Sequence, residues 1–221
     1  MDFLQKIKEI KWLQIFIIYI RYLIGGAFVF ASLIKIKGQR FTTFSGEDAP
    51  IHSAFHFFET MYQSGLYWQF LGFGQLVAGF FLMTQRYSKL GATLFYPIIL
   101  NVFVITLSYE FGGTPFITGL MLLANTLLIF WEWNSLRIFF NQPLIEDNKD
   151  RLEYNIIWQI TGLILFIFTA SYIGLSQIIY RTKFYSVICI LVGTMHVHCP
   201  YTNTAFKNKI RLFFEIAKVL L

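Results

Sequence analysis

Residues 15–34 read IFIIYIRYLIGGAFVFASLI, an apolar run that a single charged residue, Arg21, interrupts. A helix needs about 20 mainly apolar residues to cross the hydrocarbon core of a bilayer. The run has this length and therefore predicts a membrane-spanning helix over residues 12–34. Because Arg21 breaks the run and no small-residue cleavage pattern follows, the segment does not have the pattern of a cleavable signal peptide.

Further runs of similar character follow the first span, and they predict spans over 66–84, 89–109, 115–133 and 155–178. A sixth run, 184–199, is short and ends at Pro200, so spanning, re-entrant and interfacial positions are open for it. Only 14% of the 221 residues are charged and the mean hydropathy is +0.58, whereas soluble domains carry about 25% charged residues. The predicted fold is an all-α membrane protein: a four-helix transmembrane bundle plus one or two C-terminal transmembrane helices.

Two long connections divide the chain. Residues 36–65 contain the amphipathic stretch IHSAFHFFETMYQSG, which predicts an external lid or interfacial helix. Residues 138–154 predict a cytoplasmic loop that separates a four-helix unit, 1–137, from a C-terminal extension, 155–221. The extension ends in FKNKIRLFFEIAKVLL, which predicts a basic amphipathic helix on the inner leaflet.

Lysine and arginine are more frequent in the connections on the same side of the membrane as the N-terminus than in those on the opposite side. Short loops rich in these residues remain in the cytoplasm. The sequence therefore predicts a multi-pass protein of the cell membrane with a cytoplasmic N-terminus. The net charge of +6 comes from residues near the span ends, where they meet anionic lipid. It is not interpreted as a signal for nucleic-acid binding.

Arg21 is the most informative polar residue, because a charge in hydrocarbon needs a partner or a function. One interpretation is that its guanidinium extends to lipid phosphates of the inner leaflet. The other is an ion pair with Glu132, which ends the fourth span on the same side of the membrane. On the opposite side, lysines near the end of the first span have two candidate carboxylate partners: Lys35 or Lys37 with Glu110 or Glu59.

Small residues predict where the spans touch. Gly72 and Gly79 lie on one face of the second span, and Gly25 lies in the first. Because lipid provides no hydrophobic force between helices, small residues that permit close approach hold such contacts. These glycines are therefore interpreted mainly as packing residues.

Amide side chains lie on the same helices. Gln75 shares the face of Gly72 and Gly79, while Asn101 and Asn125 lie on the third and fourth spans. For Gln75 and Asn101, a helix contact and a ligand contact are both open.

Three residues of the external connection form a possible metal site. His52, His56 and Glu59 stand at i, i+4 and i+7 and would share a face of a helix. The pattern lacks the HExxH arrangement of zinc hydrolases, so an interfacial helix with two ordinary histidines is the favoured interpretation. No P-loop, GxSxG, dinucleotide or haem motif is present, and the sequence shows no cofactor site of its own.

Residues 12–137 resemble the DoxX-like family of small four-helix membrane proteins. The resemblance is carried by RYLIGGAFVFASLIKIKGQRFT, FFETMYQSGLYWQFLGFGQLVAGFFLMTQRYSKLGA, PIILNVFVITLS and GTPFITGLMLLANTLLIFWEW. An arginine that opens the first helix, a lysine near its end, and a glutamine–glycine face on the second are usual features of this family. Here they are Arg21, Lys35, and Gln75 with Gly79.

The resemblance implies a subunit of a membrane oxidoreductase complex that acts with quinone and with redox partner subunits in the lipid bilayer. In that hypothesis Arg21 balances an anionic oxygen, while Gln75 and Asn101 donate hydrogen bonds to quinone carbonyls. The alternative hypothesis is a non-catalytic membrane assembly partner or a small-solute transporter.

Overall fold

The computed structural model describes residues 3–42, 44–143 and 151–175, and this part of the chain is helical without any strand. Five of its helices are long and apolar enough to cross a membrane. They are α2 (Lys11–Ile36), α4 (Leu66–Met83), α5 (Ser88–Ser108), α6 (Thr114–Trp131) and α8 (Ile156–Leu175). Shorter helices lie between them: α1 (Phe3–Glu9), α3 (Ala54–Gln63) and α7 (Trp133–Leu136).

The all-helical class and the five apolar helices predicted from the sequence are confirmed, with bounds close to those expected. The predicted span 184–199 and the amphipathic tail lie outside the described residues.

Helices α2 and α4 run antiparallel in close contact. A Cβ atom added to Gly79 would lie 2.9 Å from the carbonyl oxygen of Gly25, and one added to Gly72 would lie 2.8 Å from that of Ser32. Such distances leave no room for a side chain, so the two backbones approach only because these residues are glycines. This is the packing role that the glycine spacing predicts.

Helices α5 and α6 form an antiparallel pair beside α4. The buried amide of Asn125 donates to the carbonyl of Ala92, with 3.1 Å between nitrogen and oxygen. Nearer the other end of the pair, the hydroxyl oxygens of Thr106 and Thr118 lie 2.9 Å apart. Pro97 lies inside the continuous helix α5. The apolar core is shared among α2, α4, α5 and α6, and its buried residues include Ile24, Phe28, Leu82, Phe95, Ile99 and Leu128.

Helix α8 packs along α2 in the same direction and touches the end of α4. The Tyr22 hydroxyl donates to the Trp158 carbonyl at 2.5 Å, and the Lys37 ammonium donates to the Ile173 carbonyl at 2.5 Å. The compact unit of the fold extends to Leu175. The fifth predicted span therefore packs with the four-helix unit, although the sequence analysis placed a boundary between them at residue 137.

The two ends of the bundle differ. The Arg21 end is formed by Arg21, the turn after α4, the end of α6 and the segment before α8. The opposite end, the α3 end, is covered by the amphipathic helix α3, whose Phe57 ring stacks on Tyr109 with 4.8 Å between centroids. Phe58 packs against Phe111 in the same turn, at 5.3 Å.

Candidate functional site

Arg21 is 1% exposed and forms hydrogen bonds with three side chains from distant parts of the sequence. Its guanidinium donates to Glu132 at 2.6 Å, to Glu153 at 2.5 Å and to Gln85 at 2.9 Å. The structure thus brings Arg21 and Glu132 together as the ion-pair interpretation predicts.

Charges of both signs are buried around Arg21. Arg151 lies 3.4 Å from Glu132 and 2.5 Å from Glu153, so two buried arginines face two buried glutamates. Lys89 borders this group, with its ammonium 3.9 Å from Glu132. Buried charges are tolerated when they are paired in this way. We call Arg21, Gln85, Glu132, Arg151 and Glu153 the ion cluster.

The local structure explains how the ion cluster forms. Glu132 follows the last residue of α6, Gln85 occupies the turn after α4 with a left-handed φ of 58°, and Glu153 lies in a short 3-10 turn before α8. Arg21 therefore lies level with the ends of the neighbouring helices. The sequence analysis missed Glu153, Arg151 and Gln85. The signal available for the first two was their place on the same side of the spans as Glu132.

Lys35 does not pair with Glu110 or Glu59. Its side chain is buried, with 8% exposed, and its ammonium donates to the Ala31 carbonyl at 3.1 Å. The ammonium also lies 4.8 Å from the centroid of the Phe41 ring and 5.0 Å from that of Trp68. The two predicted carboxylates lie elsewhere: Glu110 is exposed in the turn after α5, and Glu59 is bound to Arg40.

Glu59 anchors the segment before α3. It accepts two bonds from the Arg40 Nε, at 2.9 and 3.0 Å, and one from the backbone N–H of Gly46 at 3.2 Å. The bond from Arg40 holds the pKa of the Glu59 carboxyl below its ordinary value.

The proposed metal trio is not assembled. His52 precedes the first residue of α3, so it does not share a helix face with His56 and Glu59. Among the described residues, no group of three or more His, Cys, Asp or Glu side chains is placed to hold a metal ion.

Gln75 is buried between Gly72 and Gly79, with 6% exposed, and its Oε1 has no hydrogen-bond partner within the described part of the chain. The neighbouring glycines place it level with residues 29–32 of α2. That level is roughly 12–17 Å along the helix from Arg21, at 1.5 Å per residue. Asn101 is exposed on α5. The structure therefore does not bring Arg21, Gln75 and Asn101 into one site.

A different group of residues lies along the contact of α2 with α4 near the α3 end. A Cβ on Gly72 would lie 2.8 Å from the Cβ of Lys35, and Gln75 follows one helical turn further along α4. Trp68 precedes Gly72 by one turn on the same helix and is buried, with 1% exposed. We call Lys35, Phe41, Trp68, Gly72 and Gln75 the seam site.

Part of the chain is similar to a curated bacterial protein. The chain is 33% identical over 81 residues to the uncharacterised protein YwoB of Bacillus subtilis (strain 168). The matched stretch is 37% of this chain and 53% of YwoB, so the chain spans about half the length of that relative. No family model matches the chain, and no solved structure matches it.

Proposed function

We propose that this chain is a DoxX-like subunit of a membrane oxidoreductase complex and that it binds quinone at the seam site. The observation that carries the proposal is the buried carbonyl oxygen of the Gln75 amide, which has no hydrogen-bond partner among the described residues. A buried polar group without a partner is costly, so its retention in an apolar bundle favours a ligand contact.

The amide of Gln75 suits both redox states of such a ligand. Its NH2 group donates to a quinone carbonyl, and its carbonyl oxygen accepts from a quinol hydroxyl. Trp68 adds a buried aromatic surface on the same helix, two turns before Gln75. Arg21 does not take the ligand role considered from the sequence, because two carboxylates already neutralise it.

Electrons reach the ligand from a partner subunit in this proposal. Reduction of a quinone to a quinol consumes two electrons and two protons, and the sequence shows no redox cofactor motif of its own. Binding the acceptor in the bilayer is the contribution of this chain, and supplying the electrons is the contribution of the partner.

The proposal is tested by quinone binding to the purified protein, with Gln75→Leu compared with Asn101→Leu. Both substitutions replace an amide by an apolar side chain, but Asn101 is exposed on α5. We expect wild type and Asn101→Leu to bind menaquinone or ubiquinone in native mass spectrometry and Gln75→Leu to lose it. Absence of quinone binding in wild type, or equal binding by both variants, contradicts the proposal.

The same proposal places the protein in the cell membrane with its N-terminus in the cytoplasm. The exposed residues Glu9, at the Arg21 end, and His52, at the α3 end, are suitable positions for single cysteines. In a background with Cys189 and Cys199 replaced by serine, a membrane-impermeant maleimide added to intact cells should label position 52 and not position 9. The reverse labelling pattern contradicts the orientation.

A non-catalytic assembly partner is the second candidate, and the ion cluster favours it. The cluster joins α2, α6 and the segment before α8 through buried ion pairs. Such a unit suits a rigid support for other membrane subunits. A complex that co-purifies with this chain and keeps its full activity with Gln75→Leu would favour assembly over quinone binding.

A further inference from the structure

Lys35 is a buried cation that no carboxylate of the described chain neutralises. Its ammonium has three donors, and the structure gives it one carbonyl acceptor, Ala31, together with the faces of Phe41 and Trp68. Aromatic rings stabilise a cation less than a carboxylate does. The ammonium therefore retains the capacity to bind an anion.

The position of this cation is fixed from two sides. Gly72 permits the stem of Lys35 to lie against α4, since a Cβ there would be 2.8 Å from the Lys35 Cβ. The indole of Trp68 donates to the Gln39 carbonyl at 3.0 Å, which holds the chain that follows α2 over the same place.

A short segment covers the cation from the α3 end. Phe41 lies over the ammonium, and the preceding Arg40 binds Glu59 of α3. Gly46 donates its N–H to the same carboxylate. A single glutamate thus binds both Arg40 and Gly46, which lie on either side of Phe41 in the sequence.

We propose that Lys35 makes the seam site selective for a ligand that carries an ionised acidic oxygen, such as the anion of a hydroxyquinone. This inference rests on the proposed function and names its ligand class. In a water-poor site the ammonium and the anionic oxygen neutralise one another, and the resulting hydrogen bond is charge-assisted. A neutral quinone leaves the ammonium with only its carbonyl and its two rings.

The test compares two probes of the same ring system: menadione, which is neutral, and its hydroxylated derivative phthiocol, which is ionised at neutral pH. Equilibrium dialysis measures the binding of each to wild type and to Lys35→Met. We expect wild type to prefer phthiocol. In the variant, the affinity for phthiocol should fall about tenfold or more, so that the preference for phthiocol over menadione is lost.

Lys37→Met is the matched control. Lys37 also ends α2, but its ammonium bonds to the Ile173 carbonyl of α8, so we expect its loss to leave the affinity for phthiocol unchanged. A second measurement needs no variant: phthiocol should protect Lys35 of the wild-type protein, and not Lys37, from acetylation by acetic anhydride.

Each outcome decides between the two proposals. Binding of neither probe to wild type contradicts the proposed function and this inference together. Equal binding of menadione and phthiocol, an unchanged affinity of Lys35→Met for phthiocol, or no protection of Lys35 contradicts the ligand class alone and leaves quinone binding in place.

Discussion

At the scale of the residue, buried charges are satisfied in two different ways. Arg21 is met by carboxylates that lie 111 and 132 positions away in sequence. The Lys35 ammonium contacts two aromatic rings and donates a hydrogen bond to a carbonyl of its own helix. Removing one member of a buried ion pair leaves the other uncompensated, so these residues have unequal consequences when they are substituted.

Substitution of Arg21 by methionine should strongly destabilise the protein. Loss of its charge leaves Glu132 and Glu153 buried with fewer positive partners, and breaking a buried pair costs about 3–5 kcal/mol. Unfolding in detergent by a chemical denaturant measures the change. Arg86→Met is the control, because Arg86 is exposed and its guanidinium lies only near the Tyr87 ring, at 5.7 Å; an equal loss in both variants contradicts the prediction.

Charge reversal at Arg21 and Glu132 together should not restore stability. A glutamate at position 21 would face Glu153, which bonds directly to Arg21 in the wild type at 2.5 Å. Denaturant unfolding of the double variant Arg21→Glu, Glu132→Arg should therefore remain as impaired as that of Arg21→Glu. Recovery to near wild-type stability would show that Glu153 does not contribute as the structure indicates.

The contact of Arg40 with Glu59, next to the Phe41 ring that lies over Lys35, should break in acid. Because Arg40 lowers the folded-state pKa of Glu59, this contact stabilises the fold above the ordinary glutamate pKa, about 4.3, and is lost as the pH falls through the lowered value. The other titratable groups around the pair are Glu47 and Tyr62. We expect hydrogen exchange at the Gly46 amide to be slow at neutral pH and to speed up, relative to the intrinsic rate, in strong acid. Glu59→Gln should exchange rapidly at every pH; a slow amide in that variant contradicts the role of Glu59.

At the scale of the element, the sequence predicts most of what is local. The five long helices follow from the length of apolar runs, and the close contact of α2 with α4 follows from the spacing of Gly72 and Gly79. The partners of Lys35 do not follow from such patterns, because the path of the chain after α2 brings Phe41 back over the helix end. The contact of Glu153 with Arg21 does not follow from the sequence pattern either, since it depends on how α8 packs.

Alanine at Gly72 or Gly79 should separate α2 from α4. The added Cβ would meet backbone atoms at 2.8 and 2.9 Å, respectively, and backbone cannot yield as a flexible side chain can. Gly74→Ala is the matched control on the same helix, because its nearest neighbour, the Ile98 Cδ1, would be at 3.8 Å. Thermal unfolding should show a lower unfolding temperature for the first two variants and an unchanged one for the third. A similar change at all three positions would indicate an effect of helix propensity instead of packing.

At the scale of the whole molecule, α8 completes the bundle. It contacts both α2 and α4, and the segment before it supplies Arg151 and Glu153 to the ion cluster. The four-helix unit predicted from the sequence thus depends on a fifth helix for the neutralisation of its own arginine.

Alanine at Gly162 should therefore weaken the ion cluster from a distance. Its Cβ would overlap the Met83 carbonyl at the end of α4, whereas a Cβ on Gly174 of the same helix meets nothing within 4 Å. Displacement of α8 should expose Arg151, which is 4% exposed in the wild type. Limited trypsin digestion followed by mass spectrometry should show cleavage after Arg151 in Gly162→Ala only; resistance of that variant, or cleavage in Gly174→Ala, contradicts the coupling.

The long separation between Arg21 and its carboxylates has a consequence for biogenesis. At about 5–20 residues per second, synthesis reaches Glu153 on the order of 10 s after Arg21 has left the catalytic centre of the ribosome. For most of that interval the first span carries an arginine whose carboxylate partners have not yet been synthesised. The nascent helix must therefore keep Arg21 at the lipid headgroups or at the insertion machinery. A chain that stops after Glu132 lacks Arg151 and Glu153, which complete the ion cluster.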